Sequence, residues 1–321
     1  MSAINIRTAK RQGVRLVFGF AGVSGSGKTY TALQFAYGLA NYNSSKVGLL
    51  DAENRRGSLY SEDLKNEKGE VQPFLVGDLE PPFSPRRYTD AIKQFQEAGV
   101  DVLVVDSVSH EWEGTGGCEE IAHAQNPRMP DWKTAKREHK AFMNAALQSN
   151  MHIVFCIRAR EKVKMSTVGG KTVVESMGIQ PICEKNFMFE MTASLMMWDE
   201  GKKQDIAKCP QELRAHLGRG VDYITAKDGK AIREWVDAGG QLDPAVERAR
   251  NTLKTTCEQG LAAVQAEFAK LPVKIKKELK EDGTIEMLKT SAAAYDALRV
   301  AGKPGGADLN DLNDRVLGDG E

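Results

Sequence analysis

The chain is short of most features that would place it in a special class. It has no net charge, since 44 Lys and Arg stand against 44 Asp and Glu in 321 residues. That excludes a protein that coats nucleic acid by bulk positive charge, but not a local basic site. Cysteine is scarce: Cys118, Cys156, Cys183, Cys209 and Cys257 are odd in number, far apart and never spaced C-x-x-C. This argues against a disulfide framework and for a reducing cytoplasm. No run approaches the roughly 18 apolar residues that a membrane helix needs. The N-terminal MSAINIRTAKRQG is basic, with no apolar stretch of signal-peptide length behind it. What remains is ordinary globular composition, 41% hydrophobic and 27% charged, with length for one large domain and something smaller.

What is there is an alternation of apolar strands and amphipathic helices over residues 1–240. RLVFGFA (15–21), KVGLL (46–50) and VDVLVV (100–105) read as buried strands, MHIVFCI (151–157) as another and 71–76 as a weaker one. Helices are expected at 28–42, 88–98 and 132–149. Near-continuous apolar strands separated by helices predict an α/β fold with a mainly parallel central sheet. Beyond Ile157 the chain turns polar, with Gly169-Gly170 between two β-prone arms. A strand is expected over 187–198 and a hairpin over 221–236 around Asp228-Gly229. Residues 237–243 read as a linker. Asp243-Pro244 then starts a small helical C-terminal unit, 244–300, and 305–321 reads as an acidic, disordered tail.

The strongest motif is Gly22-Val23-Ser24-Gly25-Ser26-Gly27-Lys28-Thr29, which fits G-x-x-x-x-G-K-[ST] directly after a strand and before a helix. Glycines let successive backbone N–H groups turn toward an anion, and the helix N-terminus adds its dipole. Lys28 is expected on the β- and γ-phosphates of ATP and the Thr29 hydroxyl on Mg²⁺; Tyr30 and Ser107 complete the expected nucleotide lining. The strand VDVLVV ends in Asp106, where an acid would hold Mg²⁺. Hydrolysis also needs a group that orients water. Glu53, after the strand KVGLL, is the candidate base and Asp51 the alternative. Arg158 ends MHIVFCI on the same edge and is placed to sense the γ-phosphate.

In order and wording, GVSGSGKT, LLDAEN with SLY after it, and AGVDVLVVDSV resemble the RecA-like recombination ATPases. The run VVDSVSHEWEG narrows the resemblance to bacteriophage-encoded RecA-like ATPases linked to single-strand annealing. It covers about residues 1–240. It implies a RecA-like P-loop core, Glu53 as catalytic glutamate, Asp106 at Mg²⁺, and Arg158 where that family has a sensor glutamine. It further implies an ATPase acting on single-stranded DNA in the bacterial host cytoplasm. A homo-oligomer, filament or ring, and a single-strand DNA-binding protein are the implied partners.

Strand-end loops are where such proteins hold DNA. Residues 158–175 carry Arg158, Arg160, Lys162, Lys164 and Lys171 against Glu161 and Glu175, enough to follow a phosphate backbone. A second candidate, 114–140, holds Trp132, Lys133, Lys136, Arg137 and Lys140; Lys270–Lys280 reads as a solvated face. A ring-forming helicase or helicase loader is the alternative function, with Lys185 or Arg160 as a finger. A small-molecule kinase ranks lower, and a GTPase lower still because no N-K-x-D segment is present. His110, Cys118 and His123 match no familiar metal spacing, and Met188, Met191, Met196 and Met197 read as core.

Overall fold

The computed structural model describes residues 14–124, 126, 128–168, 171–238, 244–281 and 283–300. Of the expected linker 237–243, Asp237 and Ala238 end a helix, while residues 239–243, Gly169-Gly170 and the acidic tail 305–321 lie outside the described residues. The chain divides into two compact units, the larger being Val14–Ala238.

In that unit β1 (Val17–Gly22) leads through the phosphate loop to α1 (Lys28–Leu39), then β2 (Val47–Asp51), β3 (Leu75–Asp78), α2 (Pro85–Glu97) and β4 (Val102–Asp106). The short helices α3 (Ser109–Glu113) and α4 (Cys118–His123) precede α5 (Trp132–Gln148) and β5 (His152–Val168). There follow β6 (Lys171–Pro181), α6 (Phe187–Glu190), β7 (Ala193–Trp198), β8 (Lys203–Lys208), α7 (Arg214–Leu217) and α8 (Ala226–Asp237). The strands run in the order β3-β2-β4-β5-β1-β7-β8. Pairings are parallel except β7 with β8 and β5 with β6. The fold is thus mixed α/β with a mostly parallel sheet.

Both sheet faces are covered, which is why the strands lack polar alternation. Phe18, Phe20, Leu49, Val104 and Val154 face α1 and α8. Val17, Leu50, Leu103, Val105 and Phe155 face Tyr88, Ile92 and Phe95 of α2 and Phe142 of α5. Charged and glycine residues collect at the carboxyl ends of the parallel strands: Gly22, Asp51, Asp106 and Arg158 share one edge, with Gly22 beside Arg158 and Asp51 beside Asp106 in the register.

Three expectations need correction. Residues 221–236 do not form a hairpin: Asp228-Gly229 sits inside α8. Thr225 and Asp228 form a capping box that starts this helix. Gly229 is needed for close approach, because a Cβ there would stand 2.0 Å from the Phe35 carbonyl oxygen of α1. Gly38 of α1 makes the reciprocal contact, its Cβ position lying 1.7 Å from the Ala226 carbonyl oxygen. The expected strand 187–198 is a helical turn, α6, followed by a shorter strand, β7. The polar segment after Ile157 is no open loop, because β5 continues for 17 residues and pairs with β6.

The second unit is built from α9 (Pro244–Thr256), α10 (Leu261–Lys270), α11 (Val273–Glu281) and α12 (Thr284–Val300). Leu253, Cys257, Val264, Leu279, Ile285 and Ala292 form its own core. Among the described residues, no helix is long and apolar enough to cross a membrane.

Candidate nucleotide site

The phosphate loop gets its shape from two glycines in the left-handed region, Gly25 at φ +78° and Gly27 at φ +82°, a conformation costly for residues with a Cβ. Gly27 also has no room to vary: its Cβ would fall 2.4 Å from the Glu200 carbonyl oxygen in the turn after β7. Lys28, buried at 9% exposure, turns its ammonium back into the loop, donating to the Val23 carbonyl at 2.7 Å. Burial lowers its pKa, while Cys156, Asp106 and Glu53 pull it back up and Arg158 pushes it further down. The lysine therefore shares its surroundings with the other three charged groups of the site.

The Thr29 hydroxyl donates to Asp106 Oδ2 at 2.5 Å. Burial pushes the Asp106 carboxyl up to about 6, opposed by the Thr29 hydrogen bond and raised further by Glu53. Ser107 follows across a cis peptide. Its carbonyl accepts from the Tyr88 hydroxyl at 3.0 Å, whereas its Oγ is buried without a hydrogen-bond partner.

Asp51 and Glu53 are separated by what they touch. Asp51, 2% exposed, accepts from the Glu53 amide at 2.6 Å and the Gly57 amide at 2.5 Å. Both oxygens are spent on shaping the turn. Asn54 and Arg55 carry that turn in left-handed conformation, and Arg55 ties it to Asp78 at 3.4 Å and Glu80 at 3.6 Å. The turn aims Glu53 at Arg158, whose Nε lies 3.8 Å from Glu53 Oε1. The Arg158 amide donates to Ser109 Oγ at 2.9 Å, and its guanidinium lies 3.4 Å from His110 Nε2.

A family model described as an AAA domain matches residues 15–193. The chain belongs to the AAA domain family. A search of the curated proteins found no match. As an AAA domain the chain is a P-loop ATPase, and the residues present fit the nucleotide. The loop is an open cradle of backbone amides at the head of α1. The Thr29 hydroxyl and the Asp106 carboxylate are adjacent hard oxygen donors of the kind Mg²⁺ takes, and Ser107 Oγ beside them is buried without a hydrogen-bond partner. Lys28 and the loop amides would hold the phosphates, and Thr29 and Asp106 the metal. Bound Mg²⁺ supplies charge neutralisation at the phosphoryl group being transferred.

Of the residues expected in this AAA domain's site, Val23, Ser26, Lys28, Thr29, Asp106, Ser107, Glu53 and Arg158 come together. Ser24, Gly25 and Tyr30 lie exposed at the loop's rim. Arg160 is on the arm beyond and pairs with Glu113 at 2.8 Å. Lys162 and Lys164 are exposed there; Lys171 opens β6, and its side chain falls outside the described residues.

Tyr60 was missed by sequence reasoning. Its hydroxyl interacts with Thr29, which partly offsets the upward shift that burial gives the phenol. The only signal was SLY following the D-A-E run, with no chemistry attached.

Proposed function

We propose that this AAA domain is an ATPase of RecA-like type whose nucleotide state controls binding of single-stranded DNA, working as a homo-oligomer in recombination by annealing or strand exchange. One observation carries the reading. β5 is a single strand that passes the nucleotide edge at Arg158 and continues outward as the β5–β6 arm. Arg158 is paired with Glu53 on one side, and the exposed cations Lys162 and Lys164 follow within six residues. A change at the γ-phosphate that moves Arg158 is therefore transmitted to a cationic arm through unbroken backbone. Lysines on such an arm follow a phosphate chain and release counterions. The arm carries no aromatic side chain, so the contact is to backbone and tolerant of sequence.

The test is ATP turnover with and without single-stranded DNA, together with DNA binding with ADP and with a slowly hydrolysed ATP analogue. Tighter binding with the analogue, and loss of at least about tenfold in affinity for Lys162→Glu/Lys164→Glu at unchanged basal turnover, is the expected result. DNA binding absent in every nucleotide state, or indifferent to the double change, overturns it.

A further inference from the structure

Behind the nucleotide edge lies a second cluster that the ATPase chemistry does not use. Glu111 of α3, Cys118 at the start of α4 and His139 of α5 each turn one donor atom inward, and these atoms lie within 4.8 Å of one another. His139 Nδ1 is 3.0 Å from Glu111 Oε2, and Cys118 Sγ is 3.2 Å from Glu111 Oε1. Exposure is 1% at Glu111, 0% at Cys118 and 8% at His139.

The surroundings are apolar. Trp112 stacks on Trp132 and meets His139 edge-on at 5.6 Å, and Phe187 closes another side at 5.5 Å. A carboxylate buried among aromatic rings is costly unless it is paired or holds a cation. Among the described residues Glu111 makes no ion pair with a Lys or Arg, and His139 is its ion-pair partner.

We propose that Glu111, Cys118 and His139 form a binding site for a divalent cation of the zinc class. The donor set is one sulfur, one imidazole nitrogen and one carboxylate oxygen, a borderline-soft combination that suits zinc rather than magnesium or calcium. With metal–ligand bonds of about 2.0–2.3 Å, tetrahedral ligands stand roughly 3.3–3.8 Å apart. Two of the donor pairs already sit just inside that spacing, so the three side chains accept the ion by a small outward shift. Binding displaces the thiol proton to solvent and leaves a thiolate on the metal. His139 borders a cavity of about 240 Å³ that also takes in Lys136, Asn144 and Glu190, from which water is available as fourth ligand.

Three separate short stretches of chain would then be tied at one point. One of them, α3, holds Ser109 and His110 against Arg158. The site is a clip for the ground on which the nucleotide sensor stands. It rests on the cluster alone and not on the DNA reading.

The experiment uses the full chain without a histidine tag, loaded with Zn²⁺ or Co²⁺ and dialysed. Elemental analysis is expected to give about one zinc per chain. The cobalt form should show a thiolate-to-metal charge-transfer band, and both signals should fall at least about tenfold in Cys118→Ser and in His139→Ala. Zinc should raise the thermal midpoint of the wild type and not of either variant. Should the variants fail to fold, X-ray absorption at the zinc edge of the wild type decides: a shell of one sulfur with nitrogen and oxygen supports the site, and a shell without sulfur overturns it. Wild-type protein that retains no zinc, or cobalt binding that survives both substitutions, also overturns it.

Discussion

The two ends of the sheet are built from similar residue types and behave as opposites. At the carboxyl edge, Asp106, Lys28, Glu53 and Arg158 share a small space with incomplete pairing: burial pushes Asp106 up to about 6 and lowers Lys28, and the buried Ser107 Oγ has no partner. At the amino edge the charged groups answer one another, although His152 Nε2 is buried without a hydrogen-bond partner. Asp101 is bracketed by Arg15 at 4.0 Å and Arg233 at 3.8 Å. Arg233 also binds Asp237 at 3.0 Å, the His152 amide donates to the Asp101 carbonyl at 2.8 Å, and His152 Nδ1 accepts from the Leu16 amide at 3.1 Å. One end is left unsatisfied in a way that suits a ligand of many oxygens. The other ties its charges to one another, Asp101 to Arg15 and Arg233, and Arg233 to Asp237, and what it does is hold strands together.

Changes at the carboxyl-edge groups that face the nucleotide should remove activity and leave stability, whereas changes at the groups that shape the fold, Asp51 among them, should do the reverse. The largest effect belongs to Lys28→Ala, which should lower ATP turnover by at least about 10³-fold with the thermal midpoint nearly unmoved; turnover within a few-fold of wild type would refute the phosphate-loop assignment. Glu53→Gln should bind nucleotide normally, measured by fluorescent-nucleotide titration, and hydrolyse it about 10²–10³-fold more slowly. Asp51→Asn should instead lower denaturation stability, because each Asp51 oxygen serves a backbone amide; a variant of wild-type stability with abolished turnover would reverse the two roles.

The core prediction is Gly38→Val. It forces α1 and α8 apart and should cost about 3 kcal/mol in urea unfolding, while the folded fraction keeps its nucleotide affinity. The smallest effect is a pH dependence at the amino edge. Burial, with Arg15 and Arg233 nearby, holds the His152 imidazole well below its usual range. The folded state keeps it neutral, and the unfolded chain takes up a proton below about pH 6.5. The unfolded state then binds more protons, so stability falls as pH drops. Between pH 7.5 and 5.5 the wild type should lose about 1 kcal/mol more than His152→Gln; equal losses would sink the assignment.

Legibility in the sequence followed the range of the interaction. The phosphate loop announces itself because its residues are consecutive and its glycines answer a local backbone demand. The buried strands were readable because both faces are covered. Asp51 and Glu53 stand two residues apart and look interchangeable on paper; what divides them is a turn of left-handed residues that brings Gly57 back onto Asp51. The sequence hint at Asp228-Gly229 pointed the wrong way, since the glycine answers the proximity of Phe35, nearly 200 residues away, and not a tight turn. Glu111 and His139 are 28 residues apart, so no spacing rule joins them to Cys118, and the near cysteine–histidine neighbours that a motif search favours do not meet: His110 stacks on Phe83, and His123 lies exposed against the Glu119 carbonyl.

The length of β5 sets a reach. Ten residues of that strand, Ala159–Val168, extend past Arg158, and at roughly 3.3 Å per residue they carry the arm about 33 Å from the nucleotide edge. That is comparable to the length of about ten nucleotides of one B-form DNA strand. Under the proposed function, whatever the arm touches need not lie against the nucleotide site, and the state of the phosphate loop would be read at a distance the loop itself never spans.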